Sequence, residues 1–305
     1  MREVARDFAE SGVPDMLPAM ARKPTIAIVG PGRLGTALAL ELNRAGYRVS
    51  EIVFRSGGTS QRAARQLAGR LRAHVSSGSE VRLDADLIWF CVADREIADV
   101  ARYLATRVYW KGKLAFHSSG ALTSDELNVL RQRGAAVASV HPLMTFVRGS
   151  IPSLKNVPFA VEGDAPATRL ARRIARDLDG QAFTIRKRDK AIYHAWGAFA
   201  SPLLIALLVS AEQVGRATGL SAAQARKKML PIVRQTIANY AALGPAKAFS
   251  GPLVRGDAEI VRKHLKALRS VPVSADVYLS LANAAIKFLP VRNRRTLSQA
   301  LDSSA

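Results

Sequence analysis

The chain contains very little cysteine and comparatively few acidic residues. Among 305 residues there is one cysteine, Cys91, and the 24 Asp and Glu residues are outnumbered by 45 Lys and Arg. A single cysteine excludes a disulfide framework and a cysteine-rich metal site, so we predict no metal and expect a reducing, cytoplasmic location. Because Cys91 lies within the apolar run 87–92, it is predicted to be a buried strand residue.

Long apolar runs are also missing. The most apolar stretch, 195–211, is shorter than a typical bilayer span and contains Ser201, Pro202 and Ser210, so it is predicted to be a buried helix. Residues 1–22 lack an apolar segment of signal-peptide length and contain acids that a transit peptide avoids. We therefore predict a poorly ordered extension over 1–22 and no membrane partner.

The formal net charge of +21 raises the question of a polyanionic partner. The basic residues are spread through both halves, with no long Lys/Arg block and no interleaved aromatic residues; Arg292, Arg294 and Arg295 form one of the denser groups. Dispersed arginines are typical of a solvated surface, so a nucleic-acid partner is not expected. A basic surface also attracts small anionic ligands.

The most informative segment is 25–46, which reads TIAIVGPGRLGTALALELNRAG. An apolar, β-branched run enters a glycine turn, and leucines at helical spacing follow, which is the order of a dinucleotide-binding βαβ unit. Gly30 permits the tight turn, Gly32 lets the backbone approach a pyrophosphate, and Gly35 lets helix and strand pack closely. The predicted cofactor-binding residues of this turn are Gly30, Pro31, Gly32, Arg33, Leu34 and Gly35.

The residues that follow the next predicted strand, 48–54, indicate which dinucleotide is bound. NAD-binding folds place an acidic residue there, about 20 residues beyond the last glycine, to bind the ribose 2′-OH. Here Arg55 and Ser56 follow the strand, and a guanidinium with a hydroxyl suits a phosphate instead. Glu51 lies within the strand, too early for that role. We predict NADP; the alternative is that Arg55 is a solvated loop residue.

Strand-like and helix-like segments alternate through the first half of the chain. Predicted strands lie near 25–29, 48–54, 86–92, 113–117 and 135–140, with helices at 33–45, 60–72, 95–105 and 124–133. A strand near 157–161, a helix near 166–178 and a strand near 182–185 follow. The pattern predicts an α/β Rossmann domain with a mostly parallel sheet over 23–187 and an all-α substrate and dimerisation domain over 188–305.

Ligands of open α/β sheets bind beyond the carboxyl ends of the strands. We therefore predict cofactor contacts from residues that follow the third and fourth strands of the central sheet: Val92, Ala93, Asp94, Ser118, Ser119 and Gly120. His117 is a candidate catalytic residue and His141 a candidate substrate ligand. For either histidine the alternative is a structural role, and Asp94 is alternatively a helix N-cap.

Lys190 and His194 lie four residues apart, on one face of a predicted helix at the domain boundary. A reductase that passes hydride to a carbonyl or imine carbon must also protonate the oxygen or nitrogen, and a Lys or His performs that step. Both residues are therefore candidate catalytic groups. The alternative is that they are ordinary surface residues.

Several motifs together resemble one family. They are GPGRLGTALALEL, HSSGAL (117–122), SVHPLMTF (139–146), KAIYHAWGAFAS (190–201) and AFSGPLVRGDAEIVRKHLKAL (248–268). The chain resembles the two-domain Rossmann-like oxidoreductases whose helical second domain is of unknown function, relatives of the 6-phosphogluconate dehydrogenase superfamily. Some members resemble alternative ketopantoate reductases.

The resemblance implies an NADP-binding domain, a helical domain that often dimerises and a reductase site. Lys190 and His194 fall where superfamily members have a lysine and an amide residue at the reacting carbonyl. Ser201 stands where an asparagine is expected, which puts an amide contact to substrate from that position in doubt. Arg255 is offered to a substrate carboxylate by the turn 251–257, or this turn is structural and Asp257 caps a helix.

We therefore predict an NADPH-dependent reductase of a small 2-oxo acid or related carbonyl, with ketopantoate as the first specific candidate substrate. The alternatives are an imine reductase of the pyrroline-carboxylate type, a non-catalytic NADP-binding sensor and, last, a nucleic-acid-binding protein. The apolar stretches 195–211 and 277–289 exceed what one core needs, which predicts a homodimer through the helical domain.

Overall fold

The computed structural model describes residues 22–55 and 59–302. The predicted extension, apart from Arg22, and the predicted cofactor ligand Ser56 lie outside these residues. The described residues form two compact units, which divide between Ala195 and Trp196. The division falls a few residues beyond 187, within the first long helix of the second half.

The first unit contains an eight-stranded sheet in the order β3-β2-β1-β4-β5-β6-β7-β8. The strands are β1 (Ile26–Val29), β2 (Val49–Phe54), β3 (His74–Ser77), β4 (Leu87–Phe90), β5 (Leu114–His117), β6 (Ala136–Pro142), β7 (Pro158–Gly163) and β8 (Gln181–Thr184). All neighbouring strands are parallel except β6 and β7. The predicted mostly parallel sheet is confirmed. Its order reverses between β1 and β4, where such sheets bind ligands.

Helices cover both faces of this sheet: α1 (Arg33–Arg44), α2 (Thr59–Leu71), α3 (Ile97–Ala105), α4 (Asn128–Arg131) and α5 (Ala165–Asp177). Side chains alternate between faces along each strand. Ile26 and Ile28 of β1 pack in the layer under α1, α2 and α5, whereas Ala27 and Val29 pack in the layer under α3 and α4. Because both faces are covered, the central strands are continuously apolar.

Strand β3 was not predicted. Its sequence, His-Val-Ser-Ser, has no apolar pattern, and as an edge strand it pairs only with β2. A buried carboxylate anchors this edge: Glu51 of β2 accepts hydrogen bonds from the N–H of Leu83 (2.8 Å) and of Arg82 (3.2 Å). Cys91, predicted to be a buried strand residue, follows β4 and is half-buried.

The second unit is helical. Its elements are the end of α6 (Lys190–Ala200), then α7 (Pro202–Arg216), α8 (Ala222–Ala248), α9 (Pro252–Arg255), α10 (Ala258–Leu268), α11 (Pro272–Phe288) and α12 (Arg294–Asp302). Its core is formed by α10, α11 and α12 around Val261, Leu265 and Leu297. Helix α8 is interrupted at Gly244, whose φ is +75°. From Trp196 to Asp302 the structure shows no strand, as predicted.

The prediction that 195–211 is a buried helix is wrong for the single chain. The stretch forms the end of α6 and most of α7, separated at Ser201, and side chains such as Phe199 (72% exposed) and Ile205 (59% exposed) face solvent. In the described part of the chain, the helical run Lys187–Arg216 is by length and composition apolar enough to cross a membrane. Only 6% of its most apolar window is buried.

Candidate active site

Two glycines of the turn after β1 are required by the fold itself. Gly30 has φ +100°, and a Cβ there would lie 2.8 Å from the carbonyl oxygen of Cys91. A Cβ on Gly35 would lie 2.1 Å from the carbonyl oxygen of Gly30. The tight turn and the close packing that the glycine pattern predicted are therefore both present.

Gly32 differs from its neighbours because nothing in the protein requires a glycine there. Its φ of −72° and ψ of −170° suit any residue, and the nearest atom to an added Cβ would be the Cys91 oxygen at 3.9 Å. Gly32 is also the N-cap of α1 and makes no side-chain cap. The first N–H groups of α1, which have no intrahelical acceptor, are left to bind another group.

A cleft of about 1230 Å³ opens beside this turn. Of the predicted cofactor ligands, those that line it are Gly30, Pro31, Gly32, Arg33, Arg55, Val92 and Ala93. Sequence reasoning missed other lining residues: Thr36, Ser60, Gly78, Ser79, Glu96, Tyr103 and the segment 147–151. The predicted ligand Leu34 packs against the core instead. The carboxyl ends of β1, β2 and β4 thus meet in one cleft, as the fold requires.

Arg55 follows β2 directly, at the edge of the sheet where this cleft opens. Its side chain is 83% exposed, and its guanidinium forms an ion pair with Glu96 at 3.0 Å. Both residues line the cleft. Glu51, already excluded by its early position, is buried and engaged in the hydrogen bonds described above. The guanidinium of Arg55 is therefore available to an anionic group that displaces Glu96.

The loop after β5 is held by its own side chains. His117 is buried, with Nε2 2.9 Å from the Thr123 oxygen and Nδ1 accepting from the Ser119 N–H. Ser119 donates to Asp94 at 2.8 Å, and Ser118 accepts from the Trp89 indole N–H. With both ring nitrogens engaged, His117 has none to offer a substrate.

The alternative role of Asp94 as a helix N-cap is not observed, because Ala93 is the N-cap of the turn 94–96 and Glu96 is the N-cap of α3. Asp94 instead accepts the hydrogen bond from Ser119 and so ties the turn after β4 to the loop after β5. Asp94, Ser118, Ser119 and Gly120 do not line the cleft of about 1230 Å³. Their observed contacts are with the protein, and they shape the loop that ends at Gly120.

Lys190 joins this loop to β6 from the start of α6. Its side chain is 1% exposed, and its ammonium donates to the Ser119 carbonyl oxygen (2.7 Å) and to the Ser139 hydroxyl (2.6 Å). Burial lowers the pKa of Lys190 to about 8, which the carboxylates of Glu162 and Asp94 partly oppose. The lysine therefore carries a buried positive charge at neutral pH.

His141 and His194 meet above Gly120. Their ring centroids are 6.4 Å apart, and a Cβ on Gly120 would lie 2.7 Å from His194 Cδ2 and 3.0 Å from His141 Nε2. The Nδ1 atom of His141 is 2.7 Å from the Tyr193 hydroxyl. Within the described residues, nothing hydrogen-bonds to His141 Nε2, which is therefore free to bind substrate. Tyr193 was not predicted, because only the tertiary contact reveals its role.

Burial and the nearby Lys190 charge lower the pKa of His141 to about 4. At neutral pH the imidazole is therefore uncharged, with one N–H to donate. The structure therefore adds His141 to the predicted pair of Lys190 and His194. His194 is exposed, whereas Lys190 is enclosed.

The remaining predicted substrate residues belong to the helical unit. Ser201 lies between α6 and α7 and makes no side-chain cap. Arg255 ends α9 and pairs with Asp257 at 2.8 Å. Asp257 therefore binds Arg255 instead of capping α10 through its side chain. In residues 22–55 and 59–302, no three His, Cys, Asp or Glu side chains converge as a metal site.

The buried histidine after β5 makes stability depend on pH. Burial lowers the pKa of His117 from 6.5 to about 4, so below pH 6.5 the unfolded chain binds a proton that the native state does not. We expect the free energy of unfolding to fall as the pH drops from 6.5 to 4, by roughly 3 kcal/mol from this residue. Urea unfolding followed by fluorescence of the buried Trp89 and Trp110 measures it. A constant free energy between pH 7.5 and 5 would contradict a neutral His117.

The fold and the glycine turn together define a two-domain protein with a Rossmann-type domain at its N-terminal side. Residues 13–142 match the model of a Rossmann-like domain, and residues 157–285 match that of DUF2520, a domain of unknown function. Each match covers less than half of the chain, and the two follow one another in the order that the resemblance of the motifs predicts. No curated protein matches the chain.

Solved structures share this fold over nearly their whole length. A proposed NADP oxidoreductase from Bacteroides fragilis is 22% identical, with a TM-score of 0.71 over 86% of this chain and 97% of that one. A reductive aminase from Aspergillus terreus, in complex with NADPH and ethyl-5-oxohexanoate, is 17% identical (TM-score 0.62; 91% and 99% covered). A pyrroline-5-carboxylate reductase from Coxiella burnetii is 14% identical (TM-score 0.56; 93% and 98% covered). At these identities the likeness establishes the fold.

Proposed function

We propose that the protein is an NADPH-dependent reductase of a small carbonyl or imine compound. The observation that carries the proposal is Gly32, a glycine that the protein's own backbone and packing do not require. It lies in an open cleft beside the uncapped N-terminus of α1. A pyrophosphate that approaches the backbone at Gly32 explains why a side chain is missing there.

The residues of the cleft suit NADPH. The N–H groups of the first turn of α1 would hold the pyrophosphate, and Arg55 would bind the 2′-phosphate in place of Glu96. The cleft volume of about 1230 Å³ accommodates a dinucleotide. When bound, the cofactor supplies the hydride. The protein must supply the proton and orient the substrate.

His141 is the group best placed to donate a hydrogen bond to the reacting oxygen or nitrogen. We assign the Tyr193 hydroxyl as the donor in its 2.7 Å contact with Nδ1, which places the proton of the neutral ring on Nε2, the nitrogen that no described residue hydrogen-bonds. This N–H stabilises the negative charge that develops on a carbonyl oxygen; the product alkoxide takes the proton from Nε2, and water reprotonates the ring. His194, on the same side of Gly120, is proposed to contact the substrate.

Lys190 is proposed to be a positioning residue. Its ammonium holds the loop that carries Gly120 against β6, and its charge favours the neutral form of His141. The Tyr193 hydroxyl orients the ring. His117 is left out of the proton pathway because both of its nitrogens are engaged.

A small 2-oxo acid, with ketopantoate first, remains the leading proposed substrate. A cyclic or acyclic imine is the second candidate, supported by the pyrroline-5-carboxylate reductase and the reductive aminase among the structural relatives. NADPH oxidation measured across 2-oxo acids, cyclic imines and ketone–amine pairs tests the proposal. NADPH binding without oxidation on any of them would instead support the sensor alternative.

Arg55 is expected to set the preference for NADPH. We expect wild-type protein to bind NADPH at least ~10-fold more tightly than NADH, a difference of about 1.4 kcal/mol. Arg55→Ala should remove the preference, since it leaves the Glu96 carboxylate unpaired beside the 2′-phosphate. Arg95→Ala is the matched control, because Arg95 is exposed but does not line the cleft. Equal affinities of the wild type, measured by fluorescence titration, would exclude a 2′-phosphate site here.

We also propose a homodimer through the helical unit. Phe199, Ile205 and Val209 of α6 and α7, and Phe288 of α11, are exposed in the single chain, and obligate dimers bury such apolar surfaces. Light scattering at micromolar concentration is expected to return twice the 32.9 kDa of one chain. Ile205→Asp should lower this mass toward the monomer. A wild-type monomer would contradict the proposal.

A further inference from the structure

One face of the Rossmann sheet is strongly and uniformly basic. Helices α1, α2 and α5 cover it, and they carry two, three and four arginines respectively; Arg33, at the start of α1, lines the cofactor cleft instead, which leaves eight. The same three helices contain only two carboxylates, Glu41 and Asp177. Both are engaged locally: Glu41 pairs with Arg44, and Asp177 accepts from the Tyr47 hydroxyl and lies 3.6 Å from Lys23.

The opposite face of the sheet carries more carboxylates than arginines. The elements that cover it are α3, α4 and the turns 94–96 and 124–127, which together contain five carboxylates and three arginines. General solubility does not require such a separation of charge between two faces of one sheet. Apart from Arg33, the helices α1, α2 and α5 thus carry eight arginines against two carboxylates, whereas the elements of the opposite face carry three arginines against five carboxylates.

Apart from the half-buried Arg173, the arginines of these helices are exposed, and most have no carboxylate within 4 Å among the described residues. On α5, Arg169, Arg172 and Arg176 follow the i, i+3, i+7 spacing of one helical stripe and are all exposed. Arg172 donates to the Thr184 hydroxyl. The arginines for which the described residues place no carboxylate within 4 Å include Arg62, Arg65, Arg70, Arg169 and Arg176.

We propose that this face binds the phosphate backbone of nucleic acid without reading its sequence. The guanidinium group pairs with phosphate in a bidentate manner, and the positive groups of the three helices are arginines only. Helix α2 packs on β2 and β3, while α5 packs on β6, β7 and β8. At about 4.8 Å per strand, the arginines span roughly 30 Å, close to nine base pairs of a duplex.

The same face lacks the features of other partners. Among the described residues, no large apolar side chain is exposed on α1, α2 or α5. Membrane-surface helices insert such side chains, and protein interfaces bury them at their centre. A phosphate backbone needs only charge and hydrogen-bond donors. Dispersal of the arginines along the sequence had argued against this partner, but the fold brings those of three helices onto one surface.

Fluorescence anisotropy of a labelled 20-base-pair duplex of arbitrary sequence tests the proposal with the full chain. We expect binding at 50 mM salt that weakens steeply by 200 mM, with a log–log slope of about −0.9 per phosphate contacted. The triple variant Arg169→Glu, Arg172→Glu and Arg176→Glu should reduce the magnitude of this slope by roughly 3 and lower affinity at least ~10-fold. Unchanged NADPH binding serves as the check on its fold.

The matched control reverses the same number of exposed basic residues in the helical unit: Arg262→Glu, Lys266→Glu and Arg269→Glu. This control should retain most of the duplex affinity. Equal losses in both variants would show a non-specific effect of net charge and overturn the proposal. So would wild-type binding that does not depend on salt, or binding to phosphatidylserine vesicles without binding to the duplex.

Discussion

Gly32→Val is expected to weaken NADPH binding at least ~100-fold, about 2.8 kcal/mol, with no loss of fold. The backbone at Gly32 suits valine, and the nearest protein atom to the new Cβ is 3.9 Å away. The branched side chain instead occupies the space that we assign to the pyrophosphate. Fluorescence titration with NADPH measures the effect, and thermal unfolding confirms the fold.

Two other glycines separate a ligand effect from a folding effect. Gly69→Ala lies in α2 with no atom within 4 Å of the added Cβ and should leave both binding and folding intact. Gly35→Ala places its Cβ 2.1 Å from the Gly30 oxygen and should destabilise the whole unit. If Gly32→Val binds NADPH normally, the dinucleotide site is elsewhere.

His141→Ala is expected to lower kcat by about 10²- to 10⁴-fold on the true substrate, the range typical of a lost acid–base group. NADPH affinity should stay nearly constant, because His141 does not line the cleft assigned to the cofactor. His74→Ala, at an exposed histidine on the edge strand β3, is the control and should leave both kcat and NADPH affinity unchanged. Near-normal turnover of His141→Ala would exclude the residue from the chemistry and direct attention to His194.

A positioning role for Lys190 predicts a change in the pH dependence of kcat. Because the Lys190 charge contributes to the low pKa of His141, Lys190→Met should raise that pKa. If neutral His141 is the active form, activity is lost as pH falls through this pKa, so the acidic limb of the kcat profile should move to higher pH. A Lys190→Met profile that keeps its shape while kcat falls would indicate loss of loop geometry alone.

Much of the fold could be predicted because its periodicities are local. The four-residue run of β1, the glycine turn and the α1 leucines follow one another along the chain, and each is a near-neighbour pattern. Strand β3 could not be found in this way, since an edge strand of His-Val-Ser-Ser shows no apolar pattern. Its place is decided by pairing with β2 and by the Glu51 carboxylate.

For a related reason, the sequence predicted which residues line the cleft better than it predicted which contacts the side chains make. Gly32 and Val92, which follow β1 and β4, line the cleft because backbone geometry alone places them there, and their contact with a cofactor stays a prediction. The roles of side chains depend on partners distant in sequence. His117 and His141 have equivalent positions after two strands, but Thr123 and Ser119 engage the first, whereas the second keeps Nε2 free beside Gly120.

The order strand, glycine turn, helix determined the Rossmann-like fold of the first unit by itself, because glycine torsion and close helix–strand approach are properties of a few consecutive residues. The exposure of α6 and α7, the burial of Lys190 and the basic face of α1, α2 and α5 were decided only by the tertiary structure. Each of these three features depends on which residues the folded chain brings close together. The exposure of a side chain and the electrostatic field around it depend on distances in space, not on separation along the sequence. Arginines separated by a hundred residues in the chain therefore share one field on the folded surface.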